Sequence, residues 1–152
     1  MATMDDNLFF LDTNILVYAS ASESMYHEVC VEYLKKQRQS GTRLIASRQV
    51  LREFMATLSR PQSFSPPVQR DRIVWMLAEF QRYMAVCDDN ALVGTCLSRI
   101  FSEIPVGGKQ VHDANIVATM LVHGIPTLAT YNLADFRRFE RYIHLTTPIE
   151  QP

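Results

Sequence analysis

Five short apolar runs, each separated from the next by a longer segment of helical period, constrain this chain most. Leu8–Leu11, Arg43–Ala46, Met84–Cys87, Pro126–Thr130 and Tyr142–Thr146 read as strands. Strands that alternate with helices predict a parallel sheet covered on both faces, with right-handed crossovers. In such a sheet ligands sit beyond the carboxyl ends of the strands, where strand order reverses. The first helix should run from Thr13 or Asn14 to about Ser20, and the second from an N-cap at Ser24 to Ser40, ending at Gly41. Ser47 should cap a third helix that continues to about Arg60, where Pro61 and "SFSPP" break it. Pro66 or Pro67 opens the next, to about Tyr83, and Asp88 or Asp89 caps one carrying Leu92, Leu97, Ile100 and Phe101. "VHDANIVATMLVHG" forms a helix closed by Gly124, and a short helix "FRRFER" follows.

The 152 residues suit one domain spanning 1–152, and with 47% apolar residues a real core can form. No apolar run approaches the ~18 residues that a membrane helix needs. The start "MATMDD" is acidic and polar, unlike a secretory signal. Cys30, Cys87 and Cys96 are scattered and include no C-x-x-C pair, which predicts free, buried thiols in a reducing cytoplasm. The net charge of −1 does not advertise a nucleic-acid partner. Local basic stretches do exist, in "KKQRQSGTR", in "RRFER" and at Arg48 and Arg52.

Acids stand where the strands end. "FFLDTNILVYA" places Asp12 in an otherwise apolar run, where an ionised carboxylate is costly unless something offsets its charge. Asp12 either serves function there or caps the helix starting at Thr13. Asp113 shares a helix face with Ile116, Val117, Met120 and Leu121, so it should point inward at the helix start. Asn132 and Asp135 lie in "TYNLADF", directly after the fourth strand. Their structural alternatives are a turn for Asn132 and a helix cap for Asp135. Glu53 falls off the stripe Leu51, Phe54, Met55 and Leu58, so periodicity alone leaves it solvated.

Were such acids to converge at ~4 Å with an effective dielectric of ~20, each pair would cost roughly 4 kcal/mol. A cation between them removes that cost. Oxygen ligands without thiolate or imidazole suit Mg²⁺ or Mn²⁺. A carboxylate-held metal of this kind hydrolyses phosphodiesters. His112 beside Asp113 reads as a helix-start residue rather than a general base.

The segments "FLDTNILVYA", "SRQVLREF", "GGKQVHDANIVATMLVHG" and "TLATYNLADF" resemble, in order and spacing, the signature segments of PIN domains. They are most similar to the VapC-like toxins of bacterial toxin–antitoxin pairs. The resemblance covers nearly the whole chain. It implies a three-layer α/β/α sandwich with a central, mostly parallel five-stranded sheet. It further implies a Mg²⁺-dependent ribonuclease, with Mn²⁺ as the alternative metal, acting on RNA as a homodimer and silenced by a cognate antitoxin. By position Asp12, Glu53 and Asp113 match the family's metal-binding acids, with Thr13 and Asn14 orienting the first. Glu53 either binds metal or orients the attacking water. The family's fourth acid is often an Asp where this chain has Asn132, which leaves Asn132 or Asp135 to complete the site through water. Thr130, which leads into that loop, is a supporting residue. RNA would enter along Arg48, Arg52, Arg137 or Arg138. The helices Ser24–Ser40 and Pro66–Tyr83 are candidate dimer surfaces. The antitoxin would lay an amphipathic segment over the acids.

A haloacid-dehalogenase-type phosphatase would need a second Asp two positions after Asp12, where Asn14 stands. A dinucleotide-binding fold needs a glycine-rich turn after the first strand, and "DTNIL" has none. The remaining alternative is a catalytically lapsed PIN scaffold that binds RNA or protein.

Overall fold

The computed structural model describes residues 7–148, so the "MATMDD" start lies outside the described residues. Five strands, β1 (Leu8–Leu11), β2 (Arg43–Ser47), β3 (Met84–Cys87), β4 (Thr127–Ala129) and β5 (His144–Thr146), form one sheet in the order β3-β2-β1-β4-β5. Every pairing is parallel, where mostly parallel was expected. In β1 and β2, successive residues Phe10 and Leu11, and Leu44, Ile45 and Ala46, are all buried. Neighbouring side chains on a strand point to opposite faces, so both faces of the sheet are covered, as buried parallel sheets require.

Among the described residues seven α-helices connect the strands: α1 (Thr13–Ser20), α2 (His27–Gln39), α3 (Arg48–Leu58), α4 (Arg70–Gln81), α5 (Ala91–Glu103), α6 (Gln110–Val122) and α7 (Leu133–Phe136). α1 packs on α2 and α3, and α5 packs on α6. Among the described residues, no helix is long and apolar enough to cross a membrane.

Several boundaries differ from expectation. Ser24 does not cap α2; its hydroxyl accepts from the Tyr26 N–H at 3.2 Å and its carbonyl from the His27 N–H at 3.1 Å, which makes a tight turn before the helix. α4 begins at Arg70 rather than at Pro66 or Pro67, because Gln62 and Ser65 bridge each other and the Val68 N–H turns back to the Leu58 carbonyl. Asn90, not Asp88 or Asp89, caps α5, accepting from the N–H groups of Leu92 and Val93. Asp135 lies inside α7 instead of capping the later turn. Met55, Leu92 and Phe101, expected on apolar stripes, are exposed. Ser47 caps α3 as expected, and Gly41 and Gly124 follow α2 and α6 with φ of 83° and 68°, values that favour glycine. All three cysteines are free, but only Cys30 is buried.

Candidate active site

β1 is the middle strand, with β2 on one side and β4 on the other. The connection order therefore reverses between β1 and β4, the position where ligands bind in open α/β sheets. Asp12 ends β1 there, and its N–H donates to the Ala129 carbonyl of β4 at 3.0 Å. Its side chain is 6% exposed. Oδ1 accepts from the Thr13 N–H at 2.7 Å, so Asp12 does cap α1. Oδ2 accepts from the Thr130 hydroxyl at 2.6 Å and from the Asn14 amide at 3.1 Å. Asn14 also accepts from the Tyr131 N–H at 3.2 Å, which ties α1 to the loop after β4. Capping and orientation thus use the same carboxylate.

Those donors stabilise the ionised form of Asp12, yet burial outweighs them. Desolvation, with smaller repulsion from Glu53 and Asp113, pushes its pKa from 3.8 up to about 6. Asp113, half-buried in the first turn of α6, is pushed up to about 6 as well, by burial first and then by Asp135 and Glu53. Arg138 and His112 partly counter this. Repulsion from Glu53 and Asp113 reaches Asp12, and repulsion from Asp135 and Glu53 reaches Asp113.

The PIN domain family model matches residues 9–142, from β1 to the approach to β5. The chain belongs to the PIN domain family. Among solved structures, DNA-bound VapBC from Salmonella typhimurium is similar in fold at a TM-score of 0.65 and 20% identity, over 93% of this chain and 98% of that one. VapBC2 from Rickettsia felis, bound to a promoter DNA fragment, gives 0.60 and 20%, over 92% and 98%. VapC20 from Mycobacterium tuberculosis, a toxin cleaving the sarcin–ricin loop, gives 0.63 and 16%, over 85% and 93%. No curated protein sequence matches the chain.

The donor chemistry of this PIN domain suits a hard divalent cation. Among the described residues, no protein donor hydrogen-bonds the Asp113 carboxylate, although it is half-buried beside other acids. A carboxylate so placed gains from a cation. Among the described residues, however, no three Asp, Glu, His or Cys side chains are gathered to hold one ion. Glu53 is engaged elsewhere. Its Oε2 accepts from the Thr13 hydroxyl at 2.7 Å and its Oε1 from the Gln49 amide at 2.8 Å. It is half-buried, not solvated as its helical position suggested. Asn132 and Asp135 are exposed at the rim. The Asn132 N–H bonds the Thr130 hydroxyl at 2.9 Å.

Gln49 and Asn115 were not singled out from sequence. Gln49 is 6% exposed. Its amide donates to Glu53 and to the His112 carbonyl at 2.9 Å, and accepts from Asn115 at 2.8 Å. Asn115 also donates to Asp89 at 3.0 Å. The one available signal was the spacing of Gln49 four residues before Glu53, which puts both on one helix face. Of the four arginines named for RNA entry, Arg138 acts on Asp113, whereas Arg48 is paired with Asp88 at 3.1 Å.

Proposed function

We propose that this PIN domain is a metal-dependent endoribonuclease, the toxin of a VapBC-type pair. The observation that carries this reading is Asp12, a carboxylate at the strand-order reversal whose ionisation is opposed first by burial and then by Glu53 and Asp113. The same reading includes Mg²⁺ as the cation with Mn²⁺ as the alternative, a homodimer, an antitoxin partner and a cytoplasmic location. The fold shared with VapC20, which cleaves the sarcin–ricin loop, supports RNA as the substrate class.

Asp12 and Asp113 would hold the cation. When bound, it supplies Lewis-acid stabilisation of the phosphate and promotes attack by water. The protein's part is to hold the ligands still. The Thr13 N–H, Asn14 and Thr130 fix the Asp12 carboxylate. Glu53, held by Thr13 and Gln49, would accept a further hydrogen bond from the attacking water. Arg138, whose charge acts on Asp113, would meet the phosphate there, and Asn132 and Asp135, both exposed, would hold water at the rim. Binding in this way would return both raised carboxyls to their ionised form.

Purified protein incubated with single-stranded RNA should cut it with Mg²⁺ present, stop under chelation, and fail as the Asp12→Asn variant. Cutting that persists without metal in the variant would refute this mechanism. Folded wild-type protein that binds RNA but never cuts it would favour the lapsed scaffold.

A further inference from the structure

Beside the carboxylates lies a group of aromatic rings that the chemistry above does not use. Tyr18, Tyr26 and Tyr131 contact one another pairwise, with centroids 5.0, 5.3 and 4.9 Å apart. Phe64 closes on Tyr18 from behind at 6.0 Å. The group is continuous with the site. Tyr131 directly follows Thr130, the donor to Asp12, and its N–H is held by Asn14. Tyr18 sits one turn beyond Asn14 on α1, a rise of about 6 Å.

Tyr26 is the outer ring, 39% exposed, next to Met25 at 84%. The turn that presents them is pinned. Ala21, Ser24 and His27 N–H groups bond the carbonyls of Tyr18, Ala21 and Ser24 at 3.3, 3.0 and 3.1 Å. The His27 ring adds a contact to the Tyr18 carbonyl at 3.0 Å. A rigid turn that holds a tyrosine outward is pre-organised for contact, since little ordering is left to do on binding.

We propose that Tyr26, backed by Tyr18 and Tyr131, is a stacking platform for an unpaired base of the RNA next to the phosphate that is cut. The proposal rests on the nuclease reading and adds how substrate is held. Net charge is −1 and Arg48 is already paired, so bulk electrostatics give RNA little attraction. Beyond the cation and Arg138 at the cut phosphate, base–aromatic stacking supplies further affinity. A strand whose phosphate reaches Asp12 would lie beside Thr130, and Tyr131 is the next residue.

The test compares wild type, Tyr26→Ala and Tyr26→Phe. With Mg²⁺ and single-stranded RNA, Tyr26→Ala should raise KM by about 5- to 150-fold, the range for losing one stacked base, and leave kcat near wild type. Tyr26→Phe, which keeps the ring, should behave as wild type. In an Asp12→Asn background, an oligoribonucleotide carrying 2-aminopurine should be quenched on binding, and Tyr26→Ala should abolish the quenching. An unchanged KM in Tyr26→Ala, or equal damage from Tyr26→Phe, overturns the platform. Normal cutting by Tyr26→Ala with lost binding of a partner protein also overturns it and makes the patch a protein-docking surface. A wild type that cuts nothing overturns the nuclease reading instead, while the fluorescence measurement still reads the platform.

Discussion

Asp12 does two jobs whose demands conflict. As a cap it accepts more strongly from the Thr13 N–H when ionised, and as a buried acid it resists ionising. With its carboxyl raised from 3.8 to about 6, the folded protein binds this proton more tightly than the unfolded chain. The stability Asp12 contributes is therefore complete below pH 3.8 and is lost as pH rises through about 6. The loss for Asp12 amounts to roughly 3 kcal/mol. Metal-free Asp12→Asn should escape this pH-dependent loss, because Asn does not titrate and still accepts from Thr13; its new amide faces the Asn14 amide donor, a cost that is the same at every pH. Thermal melts across pH 4 to 8 should show wild type falling relative to the variant up to about pH 6 and then running parallel; coincident curves would show that Asp12 is not strained. The acids themselves could be read in the sequence because charge stands out in an apolar run. Gln49 could not. An uncharged amide on a helix looks like surface until α6 arrives, more than sixty positions later, and closes over it.

Elements were legible where one physical cause dominates. The apolar runs became strands, and Ser47 became a cap because it alone precedes its helix with a short hydroxyl. Before α5 the chain offers Asp88, Asp89 and Asn90 in succession, all good caps. Only Asn90 is placed to cap, because Asp88 is drawn to Arg48 and Asp89 to Asn115. Those partners come from α3 and α6, and no local pattern announces them. Met55, Leu92 and Phe101 show the converse, apolar by spacing but left outside by the packing of neighbouring helices. Ser47 is fully buried and its hydroxyl accepts from the Val50 N–H at 3.3 Å. Ser47→Ala should lower stability by about 1 kcal/mol, seen as a lower urea midpoint at unchanged slope. Because α3 carries both Gln49 and Glu53, cutting by this variant should fall as well at temperatures near its melting point.

At the scale of the molecule, a cation held by Asp12 and Asp113 as proposed would stabilise the fold. Mg²⁺ at about 100 times its dissociation constant should stabilise the wild type by about 2.7 kcal/mol. The same addition should leave Asp12→Asn unmoved, and a calorimetric scan with and without metal separates the two. A shift of equal size in both would place the ion elsewhere. The all-parallel order β3-β2-β1-β4-β5 has a temporal meaning too. β1 is made well before its neighbour β4, which brings Thr130 to Asp12 across a separation of 118 residues. A chain still emerging from the ribosome lacks that strand and cannot lock its first acid. In the proposed nuclease, Asp12 would therefore lack its Thr130 partner until β4 has been synthesised.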